Sequence, residues 1–114
     1  MPAEYNALNR YKYMWIYVMF DLPTNTKQQR KNATLFRKTL IQDGFSMLQY
    51  SVYIRHCASF ANTNVHIRRI KNAVPPEGVV SVLCITDRQF GDTYTFIGSK
   101  STAPPPAPAQ LELF

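Results

Sequence analysis

The sequence predicts a mixed α/β sandwich, and three observations carry that expectation. Residues 13–20, YMWIYVMF, are aromatic and β-branched with no polar alternation, the pattern of a strand buried on both faces and therefore central in a sheet. Two later stretches, 26–44 and 59–74, have helical spacing behind a capping residue. Segments 45–55 and 79–86 have strand composition and follow those two helices in turn.

Residues 1–12, MPAEYNALNRYK, are polar and lack the apolar core of a signal peptide, so they are expected to form a flexible arm. In the first strand, six apolar residues run into Asp21, and Pro23 stops the strand. Thr26 with Gln29 three residues later fits a capping box, and Gly44, one residue past Asp43, marks the helix end. At about 100° per residue, Ala33, Phe36 and Leu40 form one stripe, which is expected to be buried. Nearly opposite lie Lys27, Arg30, Lys31, Arg37 and Lys38, with no acid among them. Solvated helix faces usually mix signs in i,i+4 pairs, so this face is open to two readings, plain solvation and phosphate binding.

Residues 45–55, FSMLQYSVYIR, alternate as a half-exposed strand, with Leu48, Tyr50, Val52 and Ile54 on one side and Met47, Gln49, Ser51, Tyr53 and Arg55 on the other. Ser59 caps the second helix, in which Phe60, Ile67, Ile70 and Val74 share a face and Arg68 and Arg69 point elsewhere. PPEG, residues 75–78, is a sharp turn. VVSVLCIT, residues 79–86, reads as another buried strand, and QFGDTYTFI, residues 89–97, as a strand joined to it through an Asp87-Arg88 turn. These elements define a domain over residues 13–98. The Pro/Ala stretch 99–109 is an extended tether, and residues 110–114 end the chain in Leu111-Glu112-Leu113-Phe114. That apolar tail is either frayed or a short strand delivered to the sheet of a second subunit. Taken literally the order is β-α-β-α-β-β. A ferredoxin-like βαββαβ sandwich needs a further strand between residues 45 and 59, where the chain is long enough for a tight hairpin but has no Gly or Pro turn.

A chain of 114 residues with 13 Lys+Arg, 7 Asp+Glu, a net charge of +6 and a pI near 9.6 suits one domain with an anionic partner, most commonly nucleic acid. Two cysteines without CxxC spacing and two histidines fall short of a structural zinc set and fit a reduced, cytoplasmic protein. No run approaches the roughly 18 apolar residues of a membrane span.

Among the seven acids, Asp21 alone follows a central strand, where open α/β sheets present ligand-binding groups. Metal-assisted phosphodiester cleavage usually takes two or more carboxylates around Mg²⁺, which a symmetric dimer supplies if the two Asp21 residues lie near its two-fold axis. Asp21 before Leu-Pro also fits a local turn hydrogen bond with no chemistry attached. There is no Gly-rich phosphate loop, no HExxH and no RNA-recognition signature. His56 and Cys57 are strand neighbours aimed at opposite faces, which opposes a catalytic dyad.

The ordered set of WIYVMFDLP ending on Asp21, the helix with Phe36 and Leu40, GFSMLQYSVYIR, the Pro75–Gly78 turn, VVSVLCITDRQF and a Pro-rich tether closing in LELF resembles the small CRISPR adaptation proteins. These are the second of the two near-universal CRISPR-associated proteins, and the likeness is to the type II branch, over residues 13–114. The resemblance implies a ferredoxin-like homodimer in which Leu111, Leu113 and Phe114 sit at the dimer interface as a strand added to the partner's sheet. It implies a scaffold that joins an integrase partner, captures duplex DNA and inserts it as a new spacer. Some members are described as Mg²⁺-dependent endonucleases on RNA or DNA, and their proposed metal ligand maps onto Asp21. On this reading Lys27, Arg30, Lys31, Arg37, Lys38, Arg55, Arg68 and Arg69 hold phosphates without reading bases. A toxin-type ribonuclease on the same dimeric fold is a third reading, which the tether disfavours.

Overall fold

The first strand lies where its composition puts it. In the computed structural model, which describes residues 13–98, β1 (Met14–Asp21) is an inner strand, antiparallel to β3 (Val52–Cys57) on one side and to β4 (Val79–Thr86) on the other. β2 (Ser46–Gln49) pairs with β3, so the sheet order is β2-β3-β1-β4. Helix α1 (Lys27–Gln42) joins β1 to β2, α2 (Phe60–Ala73) joins β3 to β4, and the short α3 (Asp87–Gly91) follows β4. This is the ferredoxin-like βαββαβ order. The expected arm 1–12, the tether 99–109 and the terminal strand with Leu111, Leu113 and Phe114 lie outside the described residues. No helix among the described residues is long and apolar enough to cross a membrane.

Alternation along β1 divides its side chains between two packed layers. Met14, Ile16, Val18 and Phe20 face the two long helices and pack with Phe36 and Leu40 of α1, Ile70 of α2, and Phe45, Tyr53 and Cys57. Trp15 faces the other way and packs with Ile54 and Phe90. The α1 stripe is as expected, with Ala33, Phe36 and Leu40 buried behind a capping box between Thr26 and Gln29. Gly44 has φ +88, the left-handed conformation in which glycine ends a helix at least cost.

Four expectations change. The stretch 45–55 is not one strand but a hairpin, turning at Tyr50-Ser51 without glycine. Ser51 adopts φ +66, and its strain is offset from outside the hairpin: its carbonyl accepts from Phe20 N–H at 3.1 Å and its hydroxyl accepts from Arg37 at 3.0 Å. In α2 the buried residues are Thr63, His66 and Ile70, whereas Phe60 and Val74 are exposed, because two polar residues are satisfied inside the face. β4 is an edge strand with Val79 and Leu83 exposed, so it is only half-buried.

Finally, Asp87-Arg88 is no turn and residues 89–97 are no strand. Thr86 and Gln89 form a capping box that starts α3, and residues 92–98 have no regular structure. Phe90 stacks on Trp15 with centroids 3.9 Å apart, and the Trp15 indole N–H donates to Asp87 Oδ1 at 2.6 Å. These two contacts fold the segment back across the sheet, and tertiary packing overrides its β propensity.

Phe90 is 1% exposed, so Phe90→Ala is expected to cost about 3 kcal/mol in urea unfolding and to shift the emission of Trp15 to longer wavelength. A loss well under about 1 kcal/mol would show that α3 does not depend on the stack.

Candidate functional site

Asp21 closes β1 and is exposed. Its register partner is Val79, and odd-numbered β1 residues face away from the long helices, so the carboxylate lies on the Trp15 side of the sheet. Gly78 explains how the chain returns so close to it. A Cβ at Gly78 would come within 2.8 Å of the Asp21 carbonyl and 2.7 Å of Leu22 Cδ2, at a φ of +106 that disfavours any other residue. The surface beside Asp21 is apolar. Val79, the register partner of Asp21, is 65% exposed, and farther along the same face Leu83 is 49% exposed opposite Tyr17.

Among the described residues no group of three or more His, Cys, Asp or Glu could hold a metal ion. Asp21 fits Mg²⁺ as one hard oxygen donor, and the described part of one chain adds no further carboxylate cluster around it. The cysteines supply no alternative chemistry. Burial pushes both thiols up from their ordinary value. Cys57 pairs with Met14 and Cys84 with Ile16, on opposite sides of β1, which puts them roughly 10 Å apart and out of disulfide reach. His56 is exposed and in ring contact with Tyr13 and Trp15, on the sheet face opposite Cys57.

The expected phosphate-binding cations fall into two groups. Lys27, Lys31 and Lys38 of α1 and Arg68 of α2 are exposed, without ion-pair or hydrogen-bond partners among the described residues. Arg30, also exposed, donates to the carbonyls of Thr24 and Asn25 at 3.1 and 3.3 Å and so braces the β1–α1 loop. The other three serve the fold. Arg37 is half-buried, lies 4.9 Å from the Phe20 ring centroid and 4.3 Å from that of Tyr50, and donates to Ser51. Arg55 lies against Gly44, where a Cβ would come within 1.8 Å of its guanidinium, and its Nε donates to His66 Nε2 at 3.1 Å. Arg69 donates to Asp43 Oδ1 at 2.6 Å.

Arg55 and Arg69 belong to one network that the sequence pattern did not reveal. With Arg55 donating to Nε2, His66 must carry its proton on Nδ1 and give it to Asp43 Oδ2, 2.8 Å away. The network therefore ties the end of α1 to β3 and α2. Burial works to raise the Asp43 carboxyl, but hydrogen bonds from His66 and Arg69 and the nearby charge outweigh it, so the group sits below its ordinary value. The available signal was a histidine at helical spacing between Thr63 and Ile70, but nothing local identifies its acceptor 23 residues earlier.

A profile described as CRISPR associated protein Cas2 matches residues 14–93. The chain is 51% identical over 111 residues to a protein from Flavobacterium psychrophilum called "CRISPR-associated endoribonuclease Cas2", with 97% of this chain and 96% of that one covered. A protein of the same name from Parvibaculum lavamentivorans is 50% identical, covering 89% of this chain and all of its own length. A solved structure, "Crystal structure of cas2", superposes with a TM-score of 0.56 at 16% identity, over 81% of this chain and 93% of that one, and supports the fold.

Because the folded-state value of Asp43 is depressed, its contribution to stability is complete above the ordinary value of 3.8 and is lost as pH falls through the lower folded value. Asp43→Asn is expected to cost roughly 1.5–3 kcal/mol at pH 7, and the two proteins should converge in acid. Chemical unfolding at pH 7 and at pH 3 measures this, and an equal deficit at both would show that the carboxylate charge plays no part.

Proposed function

Because the chain belongs to the CRISPR-associated Cas2 family, we propose that it acts in CRISPR adaptation as a cytoplasmic homodimeric scaffold that joins an integrase partner to capture and integrate spacer DNA. The observation carrying this reading is the exposed, acid-free cation stripe Lys27, Lys31 and Lys38 on α1, with Arg68 on α2. Such a surface attracts phosphates electrostatically and is indifferent to base sequence. A cytoplasmic location fits two thiols that the sheet holds apart.

A second reading is favoured by the position of Asp21. The apolar surface of Tyr17, Val79 and Leu83 lies beside it, and a second copy covering that patch about a two-fold axis brings the two Asp21 carboxylates together. On this reading the dimer is an endonuclease on RNA or DNA, in keeping with the name its relatives carry. The paired Asp21 side chains would hold Mg²⁺, which when bound stabilises charge at the phosphodiester and lowers the pKa of attacking water. Gly78 fixes the backbone behind each carboxylate, and the apolar interface limits water around the pair.

Lys27, Lys31 and Lys38 all changed to Gln should lower the magnitude of the log–log salt slope of duplex binding by roughly 2 to 3, since each phosphate contact contributes about 0.9. Fluorescence anisotropy across a salt series reads this, and an unchanged slope removes this face from the binding surface. For the second reading, Asp21→Asn should abolish Mg²⁺-dependent cleavage and leave the dimer intact, while Leu83→Glu should abolish it by giving a monomer in light scattering. Reconstituted integration that survives Asp21→Asn would mark the protein as a scaffold in which the carboxylate is dispensable.

A further inference from the structure

We propose that Tyr50 is a stacking platform for one unpaired base of a single-stranded nucleic acid, held in place beside the Asp21 end of β1. The inference deepens the endonuclease reading above by assigning a base-holding residue to its substrate path, and it rests on that reading for its bearing on cleavage.

Tyr50 is the first residue of a two-residue hairpin turn, where small or turn-forming residues are usual. It is 78% exposed, and the turn gains nothing in burial from so large a ring. The ring is nevertheless ordered from behind. The Arg37 guanidinium lies 4.3 Å from its centroid and 4.9 Å from that of Phe20, so the three groups form a stack that begins in the core. Phe20 is itself fixed edge-on to Phe36 at 5.1 Å and tilted against Tyr53 at 5.7 Å. Arg37 cannot swing away freely, because it also donates to Ser51 Oγ. One face of Tyr50 is thus occupied by the guanidinium, and among the described residues the other is open.

The position of the turn relates this platform to the site. Ser51 accepts from Phe20 N–H, the residue before Asp21, so the turn abuts the end of the same strand. Phe20 faces the helices and Asp21 the opposite side, so the platform and the carboxylate flank the rim of the sheet. A strand crossing that rim would place a base on Tyr50 and carry its backbone toward Asp21. Arg37 lies at the border of the exposed cation stripe of α1, which continues the path for the backbone. A duplex keeps its bases stacked on each other and has none to offer, so the platform selects unpaired nucleotides.

The test uses the full chain and fluorescence anisotropy with three probes of equal length: a mixed-sequence single-stranded RNA, an abasic single strand with the same number of phosphates, and a duplex. Tyr50→Ala is expected to weaken binding of the RNA about 5- to 150-fold and to leave the abasic strand and the duplex unchanged, while Tyr50→Trp restores RNA binding. Circular dichroism and the dimer mass check that the variants are folded. Equal weakening for all three probes would overturn the proposal, because Tyr50 would then act only by positioning Arg37 or the turn. Unchanged RNA binding would overturn it as well. Repeating the series in an Asp21→Asn background separates this proposal from the cleavage reading. Base-dependent binding that persists there supports the platform whether or not Asp21 is needed for cleavage, whereas Asp21-dependent cleavage with no effect of Tyr50→Ala on binding overturns the platform alone.

Discussion

Burial of β1 on both faces is the constraint on which the rest of the structure depends. A strand with apolar side chains in both directions exposes a large hydrophobic surface unless both faces are covered, and covering it takes two different devices. One face receives α1 and α2, with Phe36, Leu40 and Ile70 closing over Ile16 and Val18. The other receives Ile54 and Phe90, the latter brought across by α3. The strand can be covered laterally only as an inner strand, and β3 and β4 flank it accordingly. Asp21 is exposed because it is the residue at which this burial ends.

The cations then divide by whether the fold needs them. A half-buried guanidinium is stable only if its donors are used, and Arg37 and Arg55 use theirs on Ser51 and on His66. Asp43 occupies the end of α1, its carboxylate takes bonds from His66 and Arg69 of α2, and Arg55 of β3 donates to the same His66, so the three elements are tied together. The lysines of α1 take no such part. Charges with no partner among the described residues remain at full strength toward an external one, which is why the stripe and not the arginine network supports the phosphate-binding reading.

The other candidate feature is Asp21. It stands at the rim of an apolar patch, and among the described residues no cluster of further metal ligands lies with it. Both belong to the face of the sheet that α3 covers only in part. The Trp15–Phe90 stack, with Tyr17 tilted against Phe90, closes one end of that face and leaves Leu83 and Val79 exposed toward the other.

What the sequence determined by itself is what can be encoded over a few residues. The unbroken apolar run marked the central strand, the Thr26–Gln29 and Ser59 caps began the helices, Gly44 ended one, and the spacing of Ala33, Phe36 and Leu40 chose the buried face. Asp21 was legible as an acid at a strand end for the same reason. The tertiary structure alone decided the hairpin at Tyr50-Ser51, the helix at Asp87–Gly91, the burial of His66 and the engagement of Arg37, Arg55 and Arg69. Each of these depends on a partner 11 to 72 positions away, as in the bonds from Arg55 to His66 and from Trp15 to Asp87. Periodicity and caps carry no record of such distances. A positive φ at serine or a helix where aromatic residues favour a strand becomes the stable choice only after the sheet has brought its partners together.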